Sequence, residues 1–485
     1  MMGLTRLVIC VITNPIVIYI KRIDLVRLKT LFAARDMTVG SPWKNLLIFA
    51  IPMLIGNLTQ QMYSLFDGII VGRYEGYVAF GAIGATMPIV FLMLSLFIGI
   101  SSGAGIMVSQ YFGAKRREDL SHTIGTCLTL TVVTAIVLSI ILPLFTRPLL
   151  NLINVPYAMI EYSVIYLNIT LWGCIGLASY NILAGILRGL GDSFTPFIYL
   201  FIATILSIAL NVLFIGVFGW GVAGAAISSV VCQLLSGVLC FLRLRKMTDV
   251  FDLRLKNYIP KKQYVKQVTR LGLPTGISNG VFSVAMLMVM SLINDFGPAL
   301  IASNTAVMKV DGFVIMPMFA FAAAITAYTG QNIGAGKLAR VKPGMLQCLV
   351  MSIGLSIAVT IVIIIFGRDL ASLFTDEAHI LDMASQILRL LAPGYVALAF
   401  GQIFWGVLRG AGDVMTPMWA IFFTTVVVRV PAAYLFAFLM ERAGHDYPYL
   451  GIFYGSMLAW VLGAVIAVGV YRFGKWREKG IVRDA

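Results

Sequence analysis

The chain is poor in charge and in the residues that bind metals or form disulfides. Only 12% of its 485 residues are Asp, Glu, Lys or Arg, about half the fraction in a soluble domain. It has three histidines and six cysteines without a C-x-x-C pair, which argues against a zinc site or a disulfide framework. Hydrophobic residues make up 60% of the chain, and its mean hydropathy is +0.93. This composition excludes an ordinary soluble domain and predicts a polytopic membrane protein.

Nucleotide-binding motifs are missing as well. The glycine-rich stretch Gly334-Ala-Gly336-Lys337-Leu338 has no Gly at position 331 and no Ser or Thr at 338, and a phosphate-binding P-loop requires both. No G-x-G-x-x-G follows a predicted strand either. We therefore expect no bound cofactor, and we expect any energy to come from an ion gradient or from the substrate's own gradient.

The chain contains an internal duplication. The segment Gly185–Pro196 and the segment Gly406–Pro417 share the core Leu-Arg-Gly-x-Gly-Asp, and 221 residues separate their first positions (185 to 406). The same offset relates Gln110 to Gln331, and Pro52 maps onto Pro274 with one residue inserted. Similarity over such a length is typical of two-lobed membrane proteins built from repeats.

Twelve apolar runs are long enough to cross a hydrocarbon core of ~30 Å, which takes ~20 helical residues. Because backbone groups in lipid must be paired internally, we expect an all-α fold. Each repeat holds six spans, and since six is even, we predict two pseudo-symmetric six-helix bundles related by an axis along the membrane normal, 37–255 and 256–485. The predicted spans are 45–71, 83–110, 124–146, 160–187, 195–216, 221–243, 268–293, 302–330, 344–367, 384–408, 416–439 and 450–473.

Lysine and arginine placement predicts the orientation. The loops after even-numbered spans and the C-terminal end carry 22 cationic residues, whereas the odd-numbered loops carry only Arg73, Arg147, Arg368 and Arg442. Under the positive-inside rule both ends of the twelve-helix body are cytoplasmic, in a multi-pass protein of the cell membrane. The net charge of +15 then reflects topology, and we expect no nucleic-acid partner.

The first 36 residues are treated as a separate N-terminal extension. Val8–Ile20 is an apolar run of 13 residues, too short to span comfortably, and Lys21 and Arg22 follow it without a cleavage pattern. Two interpretations stay open: an interfacial or disordered segment, or an upstream extension of a chain whose natural start is Met37.

One acidic residue stands out in the first span. Asp67 shares a polar stripe with Asn57, Gln60 and Ser64, because the spacings i, i+3, i+7 and i+10 fall within roughly 80° on a helical wheel. An ionised side chain in a membrane is costly, so Asp67 is predicted to be a cation or proton site that lines a cavity. The alternative is a hydrated interfacial Asp close to Arg73.

The second half has its own charged residues within the spans. Lys309 and Asp311 are two residues apart on the eighth span, so they point in nearly opposite directions and cannot pair with each other. Arg429 lies at a similar depth in span eleven, which predicts a structural pair with Asp311; coupling or substrate roles for these residues are the alternative. Further candidates for a cavity around greasy molecules are Asn181, Asn279, Ser283, Met286 and Gln402.

The repeated loop has a simple structural explanation. The glycines can end one helix, while Asp192 and Asp413 can cap the next. Arg188 and Arg409 can bond to the last carbonyls or to lipid headgroups. The pattern is typical of a tight turn between paired helices, and closing a cytoplasmic gate is the alternative function.

Together these residues resemble the multidrug and toxic compound extrusion (MATE) family of secondary exporters, over about 37–475. The resemblance implies two six-helix lobes around a central cleft, and export of cationic, amphipathic compounds against entry of Na⁺ or H⁺. It places the coupling acid at Asp67 and adds Asn211; Ile215 stands where members often have a second acid, so the ion stays open. The matched stretches are Ile51-Pro-Met through Asp67-Gly-Ile-Ile-Val-Gly72, Gln110-Tyr-Phe-Gly-Ala, Leu187-Arg-Gly-Leu-Gly-Asp192, Gly219-Trp-Gly-Val-Ala-Gly-Ala-Ala226, Gly330-Gln-Asn-Ile-Gly-Ala335 and Leu408-Arg-Gly-Ala-Gly-Asp413.

Two other functions are weighed against this one. A lipid-linked oligosaccharide flippase of the same broader superfamily needs several cationic residues for a pyrophosphate, and only Lys309 and Arg429 are deep candidates. A polytopic membrane enzyme needs clustered His, Asp or Cys at a membrane face, which the sequence lacks. We therefore expect a monomeric transporter, not an enzyme, whose partners are small cationic substrates and the lipid bilayer.

Overall fold

A computed structural model describes residues 34–153, 155–373 and 377–483, and these contain helices but no strand. Eleven helices are long and apolar enough to cross a membrane, and a pair bent by 50° makes a twelfth if it counts as one span. The prediction of an all-α polytopic membrane protein is thus confirmed. In chain order the spans are α1 Pro42–Gly76, α2 Val78–Gly113, α3 Arg117–Leu152, α4 Tyr157–Trp172 with Cys174–Gly189, α5 Phe194–Val217, α6 Gly221–Arg245, α7 Lys262–Asp295, α8 Pro298–Gly334, α9 Leu338–Ser372, α10 Ala378–Gly410, α11 Met415–Arg442 and α12 Leu450–Phe473.

Most of the N-terminal extension lies outside the described residues. The two interpretations of residues 1–36, including the run Val8–Ile20, fall on positions 1–33 and stay predictions. The described part begins at Ala34 and leads directly into α1, and Met37 within it is fully buried.

One end of the molecule carries both described chain ends and is here called the terminal face. It holds Ala34, Arg483 and the turns that follow α2, α4, α8 and α10. The opposite end is called the far face, and it holds the breaks at Gly76 and Gly297, both with positive φ. Glycine is suited to such breaks because it lacks the Cβ that disfavours left-handed backbone.

The hydrophobic clusters show where the two halves of the chain touch. Toward the far face, the core between α1, α2, α4, α5 and α6 contains only first-half residues such as Val71, and a separate core contains only second-half residues such as Val289. At the terminal face, α1 residues such as Phe49 pack with second-half residues, and Val268 of α7 packs with first-half residues. The lobes therefore meet at the terminal face and keep separate cores toward the far face.

Two pairs of glycines bring the lobes into backbone contact. Gly99 and Gly103 on α2 face Gly272 and Gly276 on α7, each pair spaced four residues apart as in small-xxx-small helix interfaces. A Cβ at Gly99 would lie 2.6 Å from the Gly272 carbonyl oxygen, and a Cβ at Gly272 would lie 2.8 Å from that of Gly99. Only glycine fits this crossing without moving the helices.

Candidate functional site

The first site is a buried carboxylate inside the first lobe. Asp67 on α1 is 6% exposed and accepts a 2.8 Å hydrogen bond from Nδ2 of Asn211 on α5. Asn211 is fully buried, and its Oδ1 accepts a hydrogen bond from Oγ of Ser228 on α6. A π-helical turn, Val212–Val217, begins directly after Asn211. Such turns are frequent at functional sites. Three helices thus supply the acid, its hydrogen-bond donor and the group that orients the donor.

The sequence predicted two of these three residues. The family resemblance placed Asn211 with Asp67, and the structure brings the two into contact. It missed Ser228, because a serine on an apolar helix gives no signal of its own until α6 is known to pack against α5. Ser228 orients the Asn211 amide by occupying its oxygen, so that the nitrogen faces Asp67.

Asp67 has polar neighbours but no cationic partner among the described side chains. No lysine, arginine or histidine nitrogen of the described chain lies within 4 Å of its carboxylate. A buried ionised carboxylate is unfavourable unless a charge compensates it, so Asp67 is suited to hold a proton or a small cation. Its burial also argues against a hydrated interfacial Asp beside Arg73.

The rest of the predicted stripe does not join this site. Gln60 is exposed and Asn57 is half-buried, and no hydrogen bond of the described chain links either of them to Asp67. The side chain of Ser64 lies outside the described residues. The stripe separates because α1 changes neighbours along its length, from the second lobe near Phe49 to α5 and α6 near Asp67.

A second polar group lies in the other lobe, where Asp311 and Arg429 interact through their charges, as predicted, but are not in direct contact. Asp311 accepts a hydrogen bond from the Tyr395 hydroxyl on α10, and Arg429 donates through Nε to Oγ of Ser456 on α12 at 3.1 Å. The charged atoms of Asp311 and Arg429 are more than 4 Å apart, since each group has a neutral partner on another helix. Depth along the spans could not identify those partners.

Arg429 also contacts the α7 face that carries other predicted cavity residues. Its guanidinium carbon lies 5.9 Å from the centre of the Phe282 ring. Asn279, Ser283 and Met286 share that face and are half-buried. A π-helical turn, Phe423–Arg429, ends on this arginine.

The remaining cavity candidates are held within their own lobes or on the surface. Asn181 donates to the Leu177 carbonyl oxygen at 2.8 Å, and Gln402 accepts a 3.4 Å hydrogen bond from Arg409. Lys309 is exposed. The structure therefore does not bring these three residues to the group around Arg429.

The repeated loops form the tight turn that the sequence predicts. Gly191 and Gly412 have φ of +85° and +93°. The Asp192 carboxylate accepts hydrogen bonds from the Thr195 amide and hydroxyl at 2.9 and 2.6 Å, and Asp413 binds Thr416 in the same way. Each aspartate therefore caps the helix that follows it. Arg188 donates to the Ala184 carbonyl oxygen of its own helix.

Removing a cap should cost stability. We expect Asp192→Ala to lower the free energy of unfolding by ~1 kcal/mol, the usual cost of losing an N-cap side chain. Thermal unfolding in detergent, followed by circular dichroism, will show a lower midpoint than the parent. Asp295→Ala, at an exposed position, is the matched control and should leave the midpoint unchanged. Equal midpoints for both variants would contradict the capping role.

Two lobes of six helices, with a buried acid in one of them, form an architecture of the kind that membrane transporters use. The MatE family model matches residues 52–213 and 274–435, two segments that begin 222 residues apart (52 to 274), as the duplication requires. The chain belongs to the MatE family of multidrug efflux transporters.

Curated relatives agree with this assignment, and solved structures show the same fold. The probable multidrug resistance protein YoeA of Bacillus subtilis is 30% identical over 450 residues, which cover 91% of this chain and 96% of the relative. The probable multidrug resistance protein NorM of Thermotoga maritima is 26% identical, with coverage of 90% and 94%. A MATE family transporter of the MOP superfamily, solved in an outward-facing conformation, superposes with a TM-score of 0.85 at 24% identity, with coverage of 93% and 99%. A MOP superfamily transporter from Pyrococcus furiosus gives 0.84 at 25%, with coverage of 91% and 98%.

Proposed function

We propose that this protein exports cationic, amphipathic compounds by antiport with Na⁺ or H⁺, through alternating access between its two lobes. The observation that carries the proposal is the buried Asp67 carboxylate, which accepts from Asn211 and has no cationic side chain beside it among the described residues. Such a group binds a small cation or a proton reversibly, which is what coupling to an ion gradient requires. No cofactor is needed for this cycle.

The cleft between the lobes supplies the substrate side of the proposal. We infer a cleft that is closed at the terminal face, because the lobes share cores there and keep separate cores toward the far face. The α7 face with Phe282 and Met286 offers aromatic and thioether surface to a flat apolar molecule. We assign the Asp311 carboxylate, in the same lobe, to the cationic group of the substrate.

Orientation follows from charge. The terminal face carries the cation-rich loops, so we place it in the cytoplasm together with both ends of the twelve-helix body. The described structure is then closed toward the cytoplasm, and the far face opens to the outside. We expect the protein to act as a monomer in the cell membrane, since each lobe has its own core.

Dye transport in everted vesicles tests the function directly. Vesicles that contain the protein should accumulate ethidium when a sodium or a proton gradient is imposed, and only one of the two gradients should be effective. Vesicles without the protein are the control. Accumulation without any ion gradient would exclude antiport, and movement of an anionic lipid-linked sugar instead of the dye would favour the flippase.

A further inference from the structure

The terminal face is closed by two hydrogen bonds that obey the internal repeat. Gln110 on α2 donates through Nε2 to the Gly410 carbonyl oxygen of the second lobe at 2.9 Å. Gln331 on α8 donates in the same way to the Gly189 carbonyl oxygen of the first lobe at 3.1 Å. The two donors are 221 residues apart, and so are the two acceptors (110 to 331 and 189 to 410). The contact is therefore duplicated around the pseudo-symmetry axis.

The helix ends touch at backbone distance beside these bonds. A Cβ at Gly113 would lie 2.0 Å from the Gln331 carbonyl oxygen, and a Cβ at Gly334 would lie 1.9 Å from that of Gln110. The lobes cannot move apart here without breaking both glutamine bonds.

Each glutamine holds a terminal segment of the chain with its other amide atom. Oε1 of Gln331 accepts from the Met37 amide at 2.8 Å, and Oε1 of Gln110 accepts from the Ile481 amide at 2.8 Å. Both glutamine side chains are fully buried. The side-chain amide of each glutamine thus binds the opposite lobe through its nitrogen and a terminal segment through its oxygen.

The two terminal segments, 34–40 and 476–483, occupy equivalent places although they are not repeats of each other. Arg35 lies against Gly191, and its amide donates to the Leu190 carbonyl oxygen at 3.1 Å. Lys479 lies against Gly412 in the same way, and its Nζ is 2.9 Å from Asp413.

Segment 34–40 precedes α1, and its equivalent in the repeat is the linker that precedes α7. Strict symmetry would therefore place that linker at the position that segment 476–483 occupies. That linker instead packs on α3, where a Cβ at Gly125 would be 2.1 Å from the Asn257 carbonyl oxygen. The C-terminal segment has taken the symmetric position.

Both segments also bridge the lobes by themselves. Lys337 and Arg340 of the second lobe donate to the carbonyl oxygens of Thr38 and Gly40 at 3.1 and 2.7 Å. In the C-terminal segment, Trp476 packs with second-lobe residues and Ile481 with first-lobe residues. Each segment therefore lies across the line along which the lobes would separate.

We propose that the two terminal segments are paired latches of the terminal face, which must leave Gln331 and Gln110 before the lobes can part there. This inference rests on the proposed alternating access. While the segments are bound, each glutamine has both of its polar ends occupied and is oriented toward the opposite lobe. Release of a segment frees the amide oxygen and removes the cover from the glutamine bond, so opening becomes easier on that side.

The test measures the opening of the terminal face without measuring transport. Spin labels at Lys115→Cys and Ala339→Cys, with Cys10 replaced by serine, report by pulsed electron resonance the distance between the turn after α2 and the start of α9. Both label sites are exposed, and the cysteines of the described chain are buried. Gln110→Met with Gln331→Met removes the amides at similar size. Ile481→Pro removes the amide hydrogen of one latch and also replaces the buried Ile481 side chain by a smaller one, at a first helical position that accepts proline.

We expect the population with the longer distance to rise at least tenfold in the glutamine variant, and to rise measurably in Ile481→Pro. Gly334→Ala, which forces the helix ends apart, is the positive control. Gln386→Met, whose hydrogen bond to Tyr449 lies within the second lobe, and Gly354→Ala, in open space, are the matched negative controls.

If the distance between the spin labels is unchanged in the glutamine variant but increases in Gly334→Ala, the latch proposal is wrong. Longer distances in folded protein that fails to move dye support the latch and contradict the proposed function instead. A folded state is verified by a monodisperse elution profile and a cooperative thermal transition.

Discussion

Vesicles that carry Asp67→Asn will build no dye gradient when a sodium or proton gradient is imposed. One monovalent cation moving down 100 mV releases ~2.3 kcal/mol, enough for a substrate gradient of roughly 50-fold, since ~1.4 kcal/mol is tenfold. Asparagine keeps the size and the hydrogen bond to Asn211 but carries no charge to bind the ion. The accumulation ratio should therefore fall to about one, measured as ethidium uptake into everted vesicles.

The thermal stability of Asp67→Asn, compared with that of the parent, identifies the coupling ion. A cation that binds only the folded protein raises its melting temperature, so NaCl in place of KCl should stabilise the parent but not Asp67→Asn if sodium is the ion. Asp295→Asn makes the same chemical change at an exposed site and should transport normally. Undiminished accumulation by Asp67→Asn would remove this carboxylate from the coupling mechanism.

Gly272→Val should reduce transport at least tenfold while leaving the protein folded. The valine side chain has no room between α2 and α7, because even a Cβ would lie 2.8 Å from the Gly99 carbonyl oxygen. Overpacking of this kind costs ~1–3 kcal/mol, and here the cost falls on the contact between lobes rather than on either separate core. Initial rates of dye uptake and the thermal midpoint measure the two effects.

Gly469→Val provides the comparison for that substitution. Gly469 also lies within a span, on α12, but no atom lies within 4 Å of the position a Cβ would take. The same increase in volume should leave transport near the parent level. Equal rates for the two variants would show that the close approach of α2 and α7 is not needed for transport.

Periodic and local features were predictable from the sequence. Span lengths follow from bilayer thickness, and the caps at Asp192 and Asp413 follow from turn chemistry, because both depend on neighbours within a few residues. The pair of Asp67 and Asn211 came from the family resemblance, not from periodicity. Its third member, Ser228, needed the packing of α6 on α5.

Contacts between distant helices were not predictable in the same way. Similar depth in the membrane predicted a direct pair of Asp311 and Arg429. The hydrogen-bond partner of Asp311 is instead Tyr395, and that of Arg429 is Ser456. Helical periodicity likewise placed Gln60 beside Asp67 on one stripe without showing that α1 passes from one lobe to the other. Depth and periodicity locate a residue along and around its own helix. Its hydrogen-bond partners depend on how the other helices pack against that helix.

The passage of α1 and α7 between the lobes constrains how the molecule moves. Phe49 precedes Pro52 and packs with the second lobe, while Val268 precedes Pro274 and packs with the first. A proline inside a helix lacks one backbone hydrogen bond, so the rod is softest close to it. If the two lobes separated as rigid bodies, α1 and α7 would each lose their contacts with one of the lobes. Bending at the two equivalent prolines keeps each helix in contact with both lobes. Each lobe is therefore held by a helix that begins in the other lobe.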